Sequence, residues 1–179
     1  MMNLLQQYRK NVVPALQKEF KIANVMAVPK IVKVTINVGV GRIHKDDKAL
    51  ERIAKDIEIL SGQKPVFRNI KKSIASFKIR QGVPVGISVT LRGKRMYDFI
   101  DRFINIALPR SRDFRGLDVK NFDTAGNLNV GLKESVIFPE LNYENVKDIF
   151  GLQITFTTTA KTREEGVALL KNLGFPIKS

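Results

Sequence analysis

Lys30-Ile31-Val32-Lys33-Val34-Thr35-Ile36-Asn37-Val38-Gly39-Val40-Gly41 alternates apolar residues with polar or small ones. Val32, Val34, Ile36, Val38 and Val40 fall on one side; Lys33, Thr35, Asn37 and Gly39 fall on the other. Side chains of a strand point to opposite faces in turn, so this stretch predicts a strand with one buried and one polar face. Val85 to Arg92 repeats the pattern, with Val85, Ile87, Val89 and Leu91 inward and Ser88, Thr90 and Arg92 outward. Leu152 to Thr159 repeats it again, with Leu152, Ile154, Phe156 and Thr158 on the inner side.

Helical spacing fills the intervals. Leu5, Tyr8, Val12, Leu16 and Phe20 mark an amphipathic helix, which Pro14 kinks or divides in two. Asp46 and Asp47 cap a second helix carrying Leu50, Ile53, Ala54, Ile57 and Leu60, closed by Gly62. Pro65 to Lys71 reads as a short strand. Met96, Phe99, Ile100, Phe103, Ile104 and Ala107 mark a helix that Pro109 stops. Val119 to Leu132 reads as a hairpin turning near Ala125-Gly126-Asn127. Residues 134–148 read as short irregular or helical pieces broken by Pro139. Thr162 and Glu165 form a capping box for a last helix bearing Val167, Leu170 and Leu173. Strands with one polar face and helices to cover the other predict an α+β fold: an open, mostly antiparallel sheet with helices packed on one face. The central β-α-β-β-α-β run resembles the ferredoxin-like, RRM-like arrangement. The length of 179 residues predicts one domain.

Charge narrows the function. The chain has 31 Lys and Arg against 17 Asp and Glu, a net +14. The excess is local: residues 61–120 carry net +10, while residues 121–179 carry net −1. No acid lies between Glu58 and Asp98, an interval holding nine bases. A long acid-free basic tract inside a folded pattern points to a polyanion, with a merely solvated cationic face as the plain alternative. There is no Cys and one His, which excludes disulfides, Cys-based metal sites, thiol nucleophiles and any site needing two imidazoles. The longest stretch without charge, Ile149 to Ala160, has 12 residues, too few for a helix to span a bilayer. The N-terminus lacks the basic-then-apolar order of a secretory signal, and the expected location is cytoplasmic.

Enzyme chemistry finds little support. Gly39-Val40-Gly41 follows a strand, but a dinucleotide loop would need a third Gly at position 44, which is His44. There is no phosphate-cradling P-loop. The acid pairs Asp46-Asp47 and Glu164-Glu165 stand at helix starts, where the macrodipole favours them. His44 has no sequence partner to make it a base. Most Phe residues take inward positions; Phe67, Phe77 and Phe114 lie in or beside basic segments instead. No cofactor or metal is expected.

One tract carries a resemblance. Ile59-Leu60-Ser61-Gly62-Gln63-Lys64-Pro65, continuing through Lys71-Lys72-Ser73-Ile74-Ala75-Ser76-Phe77-Lys78-Ile79-Arg80-Gln81-Gly82, resembles large-subunit ribosomal protein five in its bacterial form, the universal 5S-rRNA-binding family. Val28-Pro29-Lys30-Ile31, Val89-Thr90-Leu91-Arg92-Gly93, Pro109-Arg110, Arg112 to Leu117, Ile137-Phe138-Pro139-Glu140 and Thr155 to Lys161 agree in order along nearly the whole chain. The resemblance implies a structural role in the central protuberance, beside 5S rRNA, peptidyl-site tRNA and neighbouring large-subunit proteins and rRNA. It also implies contact with the small-subunit head, through its protein thirteen. A free-standing RNA-binding protein or RNA chaperone is the alternative that charge alone allows.

Three groups of residues are expected to make these contacts. Asn37, Gln63 and Thr90 match positions the family uses for RNA; Lys33, Lys64, Arg68 and Arg92 are the nearby cations. The strands lack the aromatic RNP motifs of an RRM, so hydrogen bonding is expected to outweigh stacking. The basic loop 71–84, with Lys71, Lys72, Ser73, Phe77, Lys78, Arg80 and Gly82, is expected by resemblance to reach the tRNA. Residues 134–148 carry Glu134, Glu140, Glu144 and Asp148 against Lys147, net −3. That charge disfavours phosphate, and with Ile137, Phe138, Leu141 and Tyr143 interleaved it suggests a surface for the basic small-subunit protein.

Overall fold

The computed structural model describes residues 3–41, 43, 46–73, 80–112, 114–141 and 149–178. His44, Phe77, Lys78, Tyr143, Glu144 and Asp148, singled out above, lie outside them. Among the described residues five strands form one open antiparallel sheet: β1 (Ile31–Gly39), β2 (Val66–Asn69), β3 (Pro84–Leu91), β4 (Leu128–Leu132) and β5 (Leu152–Thr158). Their order is β2-β3-β1-β5-β4. Among the described residues six α-helices accompany them: α1 (Leu4–Gln7), α2 (Val13–Phe20), α3 (Asp47–Ser61), α4 (Gly93–Arg102), α5 (Leu108–Arg110) and α6 (Arg163–Asn172). The chain divides into two compact units. Met1–Val34, Leu91–Val130 and Thr155–Ser179 make the first; Thr35–Thr90 and Gly131–Ile154 make the second.

In the first unit, two helices are widened by one π turn each. Tyr8–Val12 joins α1 to α2 and Phe103–Ala107 joins α4 to α5. A proline follows each, Pro14 and Pro109, in the first turn of the next helix. Proline has no N–H to give to the preceding turn, and the wider turn accommodates that loss without ending the helix. The division expected at Pro14 is therefore a π turn, and the second helix runs one residue past Pro109. Leu4, Tyr8, Val12, Val13 and Leu16 are buried, so Leu5 and Phe20 sit at the margin of the apolar face. Tyr8 Oη donates to the Pro29 carbonyl at 3.0 Å. Phe103 centres an aromatic cluster, its ring 5.5 Å from Phe156 and 6.4 Å from Phe175. Phe156 meets Phe175 edge-on at 5.1 Å, the arrangement that ring quadrupoles favour.

Two expectations change in this unit. Val32 is 41% exposed while Ile31 is buried, so the alternation of β1 slips by one residue at its start. Thr159 pins Lys30 from both directions: its N–H donates to the Lys30 carbonyl at 2.9 Å, and its Oγ1 accepts from the Lys30 N–H at 3.0 Å. That anchor sets the phase of the strand's first residue. The arm Val119 to Phe122 is not a strand. Asp118 accepts from the Lys120 N–H at 3.0 Å and caps a 3-10 turn there, leaving only the bridge Phe122–Leu128. The turn itself stands, since Asp123 accepts from the Asn127 N–H at 2.8 Å and from its side-chain amide at 2.7 Å.

That turn presses on α6. A Cβ on Gly126 would lie 2.6 Å from the Thr162 carbonyl and 3.1 Å from the Gly166 Cα. Gly166 is consequently buried, and the inner face of α6 is Gly166, Leu169, Leu170 and Leu173, with Val167 half-buried. Thr162 accepts from the Glu165 N–H at 3.3 Å, while Glu165 reaches back to the Lys161 N–H at 2.8 Å. The capping box thus closes one residue earlier than its usual form.

In the second unit, α3 follows the sequence closely. Asp46 accepts from the Ala49 N–H at 3.1 Å, and Gly62 ends the helix at φ +66°. Leu50, Ile53, Ile57 and Leu60 are buried. Ile137, Phe138 and Leu141 are buried as well, beside a 3-10 turn at Ser135–Ile137 whose Ser135 Oγ accepts from the Phe150 N–H at 3.3 Å. Those three apolar residues are core and do not form a docking surface. Glu134 and Val136 are exposed there and Glu140 is half-buried.

Candidate nucleic-acid interface

The second unit presents a polar sheet face built by strand alternation. β2 and β3 pair antiparallel with Val66 opposite Ser88, Phe67 opposite Ile87 and Arg68 opposite Gly86. Directly paired residues share a face, so Val66, Arg68, Gly86 and Ser88 lie together, with Thr90 two residues on. On β1, Asn37 stands between the buried Ile36 and Val38 and is exposed. Its Oδ1 would be 3.8 Å from a Cβ on Gly86, which places it beside Arg68 and Ser88.

Arg68 Nε donates to Ser88 Oγ at 2.9 Å. The guanidinium lies over Ser88, which is only 7% exposed although it stands on the polar face. Arg68 itself remains exposed, and its other N–H groups form a fork suited to a phosphate. Gln63 Nε2 donates to the Thr90 carbonyl at 3.3 Å, which brings two of the expected contact residues together at one end of the face. The position of Gln63 is fixed by the helix stop: Ser61 Oγ donates to the Ile57 carbonyl at 2.6 Å and accepts from the Gln63 N–H at 3.2 Å. Lys64 is exposed next to it. Asn37, Gln63, Lys64, Arg68 and Thr90 therefore all belong to this unit. Lys33, half-buried on β1, and Arg92, exposed just before α4, belong to the first unit.

Ser88 and Gly86 were not among the expected contacts. The period-two pattern that puts Ser88 and Thr90 on the outer face of β3 also puts Gly86 there, so the signal was present in the alternation. Phe67 points to the other face and is 42% exposed, beside Asp47, Leu50 and Glu51 of α3. Apolar burial explains half of that side chain, and the acids next to it disfavour phosphate.

The loop between β2 and β3 is anchored at its base. Ile70 N–H donates to the Val83 carbonyl at 2.9 Å, and Gly82 N–H donates to the Ile70 carbonyl at 3.0 Å. Gly82 takes φ +88°, a conformation glycine adopts without strain. Ser73 Oγ accepts from the Gln81 N–H at 2.9 Å, closing a second rung. Lys71, Lys72 and Arg80 are exposed around this stem. Among the described residues no group of His, Asp, Glu or Cys could hold a metal ion, and no helix is long and apolar enough to cross a membrane.

Comparison with known proteins decides the family. Residues 24–80 match the model of ribosomal protein L5, and residues 84–177 match that of the ribosomal L5P family C-terminus. The chain is 52% identical to the large ribosomal subunit protein uL5 of Nitrosomonas europaea over 179 residues, all of both chains. It is 54% identical to uL5 of Trichodesmium erythraeum over 98% of this chain and 97% of that one. It is also 54% identical to uL5c of Rhodomonas salina over 94% and 93% respectively. The chain belongs to the ribosomal protein L5 family. As an L5-family protein it is a non-catalytic constituent of the large ribosomal subunit and works in the cytoplasmic ribosome, among rRNA and other ribosomal proteins. The two L5 models meet between residues 80 and 84, at the end of the basic loop.

Proposed function

We propose that this chain binds 5S rRNA on the polar face of its second unit. The supporting observation is the convergence of Asn37, Arg68, Ser88 and Thr90 on one sheet face, with Gln63 bonded to Thr90 at its end. Uncharged amides and hydroxyls there suit 2′-hydroxyls and base edges, while Arg68 and Lys64 suit phosphate. The same reading has the loop 71–84 reach peptidyl-site tRNA, since Lys71, Lys72 and Arg80 are exposed around a stem closed by two backbone bonds and Ser73. It has the acidic segment from Glu134 onward meet the basic head protein thirteen of the small subunit, because four acids in a chain of net +14 fit a cationic partner better than phosphate.

Titration of the full chain with a 5S rRNA transcript tests the reading. Binding should saturate at one protein per RNA and exceed binding to an unrelated RNA of equal length at the same salt. The triple variant Asn37→Ala, Gln63→Ala, Thr90→Ala should fold and bind more weakly, by roughly 1–3 kcal/mol for each hydrogen bond lost. Equal binding to both RNAs would favour a general RNA chaperone, and an unweakened triple variant would remove this face from the site.

A further inference from the structure

We propose that the groove between α3 and the edge strand β2 docks an extended, arginine-bearing segment of a neighbouring basic protein, with one guanidinium seated on the Phe67 ring beside Asp47 and Glu51. The groove lies within the second unit. Phe67 pairs with the buried Ile87, so it faces away from the polar side that carries Arg68, and the inference goes beyond the RNA-binding reading. β2 stands last in the sheet order, and all four of its residues are exposed. Among the described residues no strand pairs with its outer edge, so no strand closes the groove on that side.

Two adjoining cavities make up the groove. The first, about 460 Å³, is lined by Leu50, Phe67 and Pro84 together with the exposed acids Asp47 and Glu51. The second, about 260 Å³, shares Glu51 and Phe67 and continues past Ala54, Lys55, Glu58 and Pro65. Asp47, Glu51 and Glu58 recur at spacings of four and seven residues, which puts them on one stripe of α3. Lys55 and Lys64 line only the second cavity, so the first is acidic. Phe67 keeps 42% of its surface exposed there although it faces α3. A ring left uncovered beside two carboxylates attracts a cation twice over, through its negative face and through their charge.

Charge selects the occupant. Asp47 and Glu51 repel phosphate and acidic peptide alike, which disfavours RNA as well as an acidic partner. Arginine suits the first cavity better than lysine, because its planar guanidinium stacks on a ring and forks toward carboxylates. Alternate residues of an extended segment point the same way, so an apolar residue beyond the arginine can fill the second cavity over Ala54 and Pro65. As a constituent of the large subunit, the chain works among proteins that can supply such a segment.

Photocrosslinking in assembled large subunits tests this. Lys55→p-benzoylphenylalanine puts the probe at an exposed residue of the second cavity and leaves Asp47, Glu51 and Phe67 in place. Illumination should join it to another ribosomal protein, at a segment that carries arginine, as mapped by mass spectrometry. Adding Glu51→Gln or Phe67→Leu to that chain should each lower the yield at least about fivefold. Both substitutions should leave the melting temperature of the free chain close to the parent's. Crosslinks to rRNA alone, to a second copy of this chain or to a segment without arginine would overturn the proposal, as would no crosslink at all. A yield that either substitution leaves unchanged would overturn it too. So would melting well below the parent temperature in both variants, since these residues would then serve the fold.

Discussion

Arg68 and Ser88 are joined diagonally across the β2–β3 pair: Nε meets Oγ at 2.9 Å, although Arg68 is paired with Gly86 and Ser88 with Val66. The contact lays a cation flat against the polar face and leaves the rest of its fork outward. Arg68→Ala should therefore reduce 5S affinity and lower the slope of log K against log salt by about one. Arg68→Lys should preserve the slope but not the affinity, because lysine has no Nε–H to hold Ser88 and no planar fork. Filter binding at several salt concentrations reads both quantities. A slope unchanged in Arg68→Ala would mean that this residue meets no phosphate.

The loop prediction separates two RNA partners. Replacing Lys71, Lys72 and Arg80 with alanine should leave 5S affinity within about twofold at moderate salt, since these cations lie outside the polar face. The same change should reduce crosslinking of peptidyl-site tRNA to the ribosome. If 5S affinity fell sharply and tRNA crosslinking held, the loop would belong to the 5S site instead.

The acidic segment gives a charge test. Reversal to lysine at Glu134, Glu140, Glu144 and Asp148 should weaken subunit association most at low salt, where surface charges are least screened. Binding of 5S rRNA should be unchanged or slightly tighter. Subunit association profiles across a salt series supply the readout. An unaltered salt dependence would show that these acids only balance local charge.

Alkali should destabilise the first unit through Tyr8. Burial, with a contribution from Tyr97, pushes the Tyr8 phenol up to about 12 from an ordinary 10.0. The unfolded chain releases that proton near pH 10, while the folded chain holds it to about 12. Stability present below pH 10 is therefore lost progressively as pH rises from 10 to 12. Tyr97, also raised by burial, adds to the decline. Tyr8→Phe should flatten part of that decline, at a cost of roughly 0.5–1.5 kcal/mol at neutral pH for the lost bond to Pro29. Urea melts at pH 9 and pH 11 compare the two; identical losses in parent and variant would contradict the assignment to Tyr8.

Much of this was legible in the residues. The alternation of β1, β3 and β5 revealed which side chains share the polar face, because a period of two follows directly from strand geometry. Helix stops at Gly62 and caps at Asp46 and Thr162 are local devices, readable within a few residues. What escaped depended on distant partners. Nothing near Val32 announces the slip imposed by Thr159, more than a hundred residues away in the chain. Nothing near Gly166 announces the turn at Gly126. Ile137, Phe138 and Leu141 looked like a docking surface because acids surround them in sequence; in the fold the apolar groups turn inward, while Glu134 is exposed and Glu140 half-buried. Ser88 and Gly86 were visible as outward positions, but their small side chains carry no charge to mark them.

The most direct test of the RNA-binding face uses the absence of cysteine from the chain. Val66→Cys places a single thiol on the polar side, opposite Ser88, at an exposed residue assigned no RNA contact. Glu58→Cys places one on the outer surface of α3 in the same unit. Each is loaded with an iron chelate that generates hydroxyl radicals, bound to 5S rRNA, and the cleaved nucleotides are mapped. The account predicts strong cleavage confined to one short stretch of 5S rRNA from position 66 and little from position 58. Equal cleavage from both, or cleavage from position 58 alone, would contradict it.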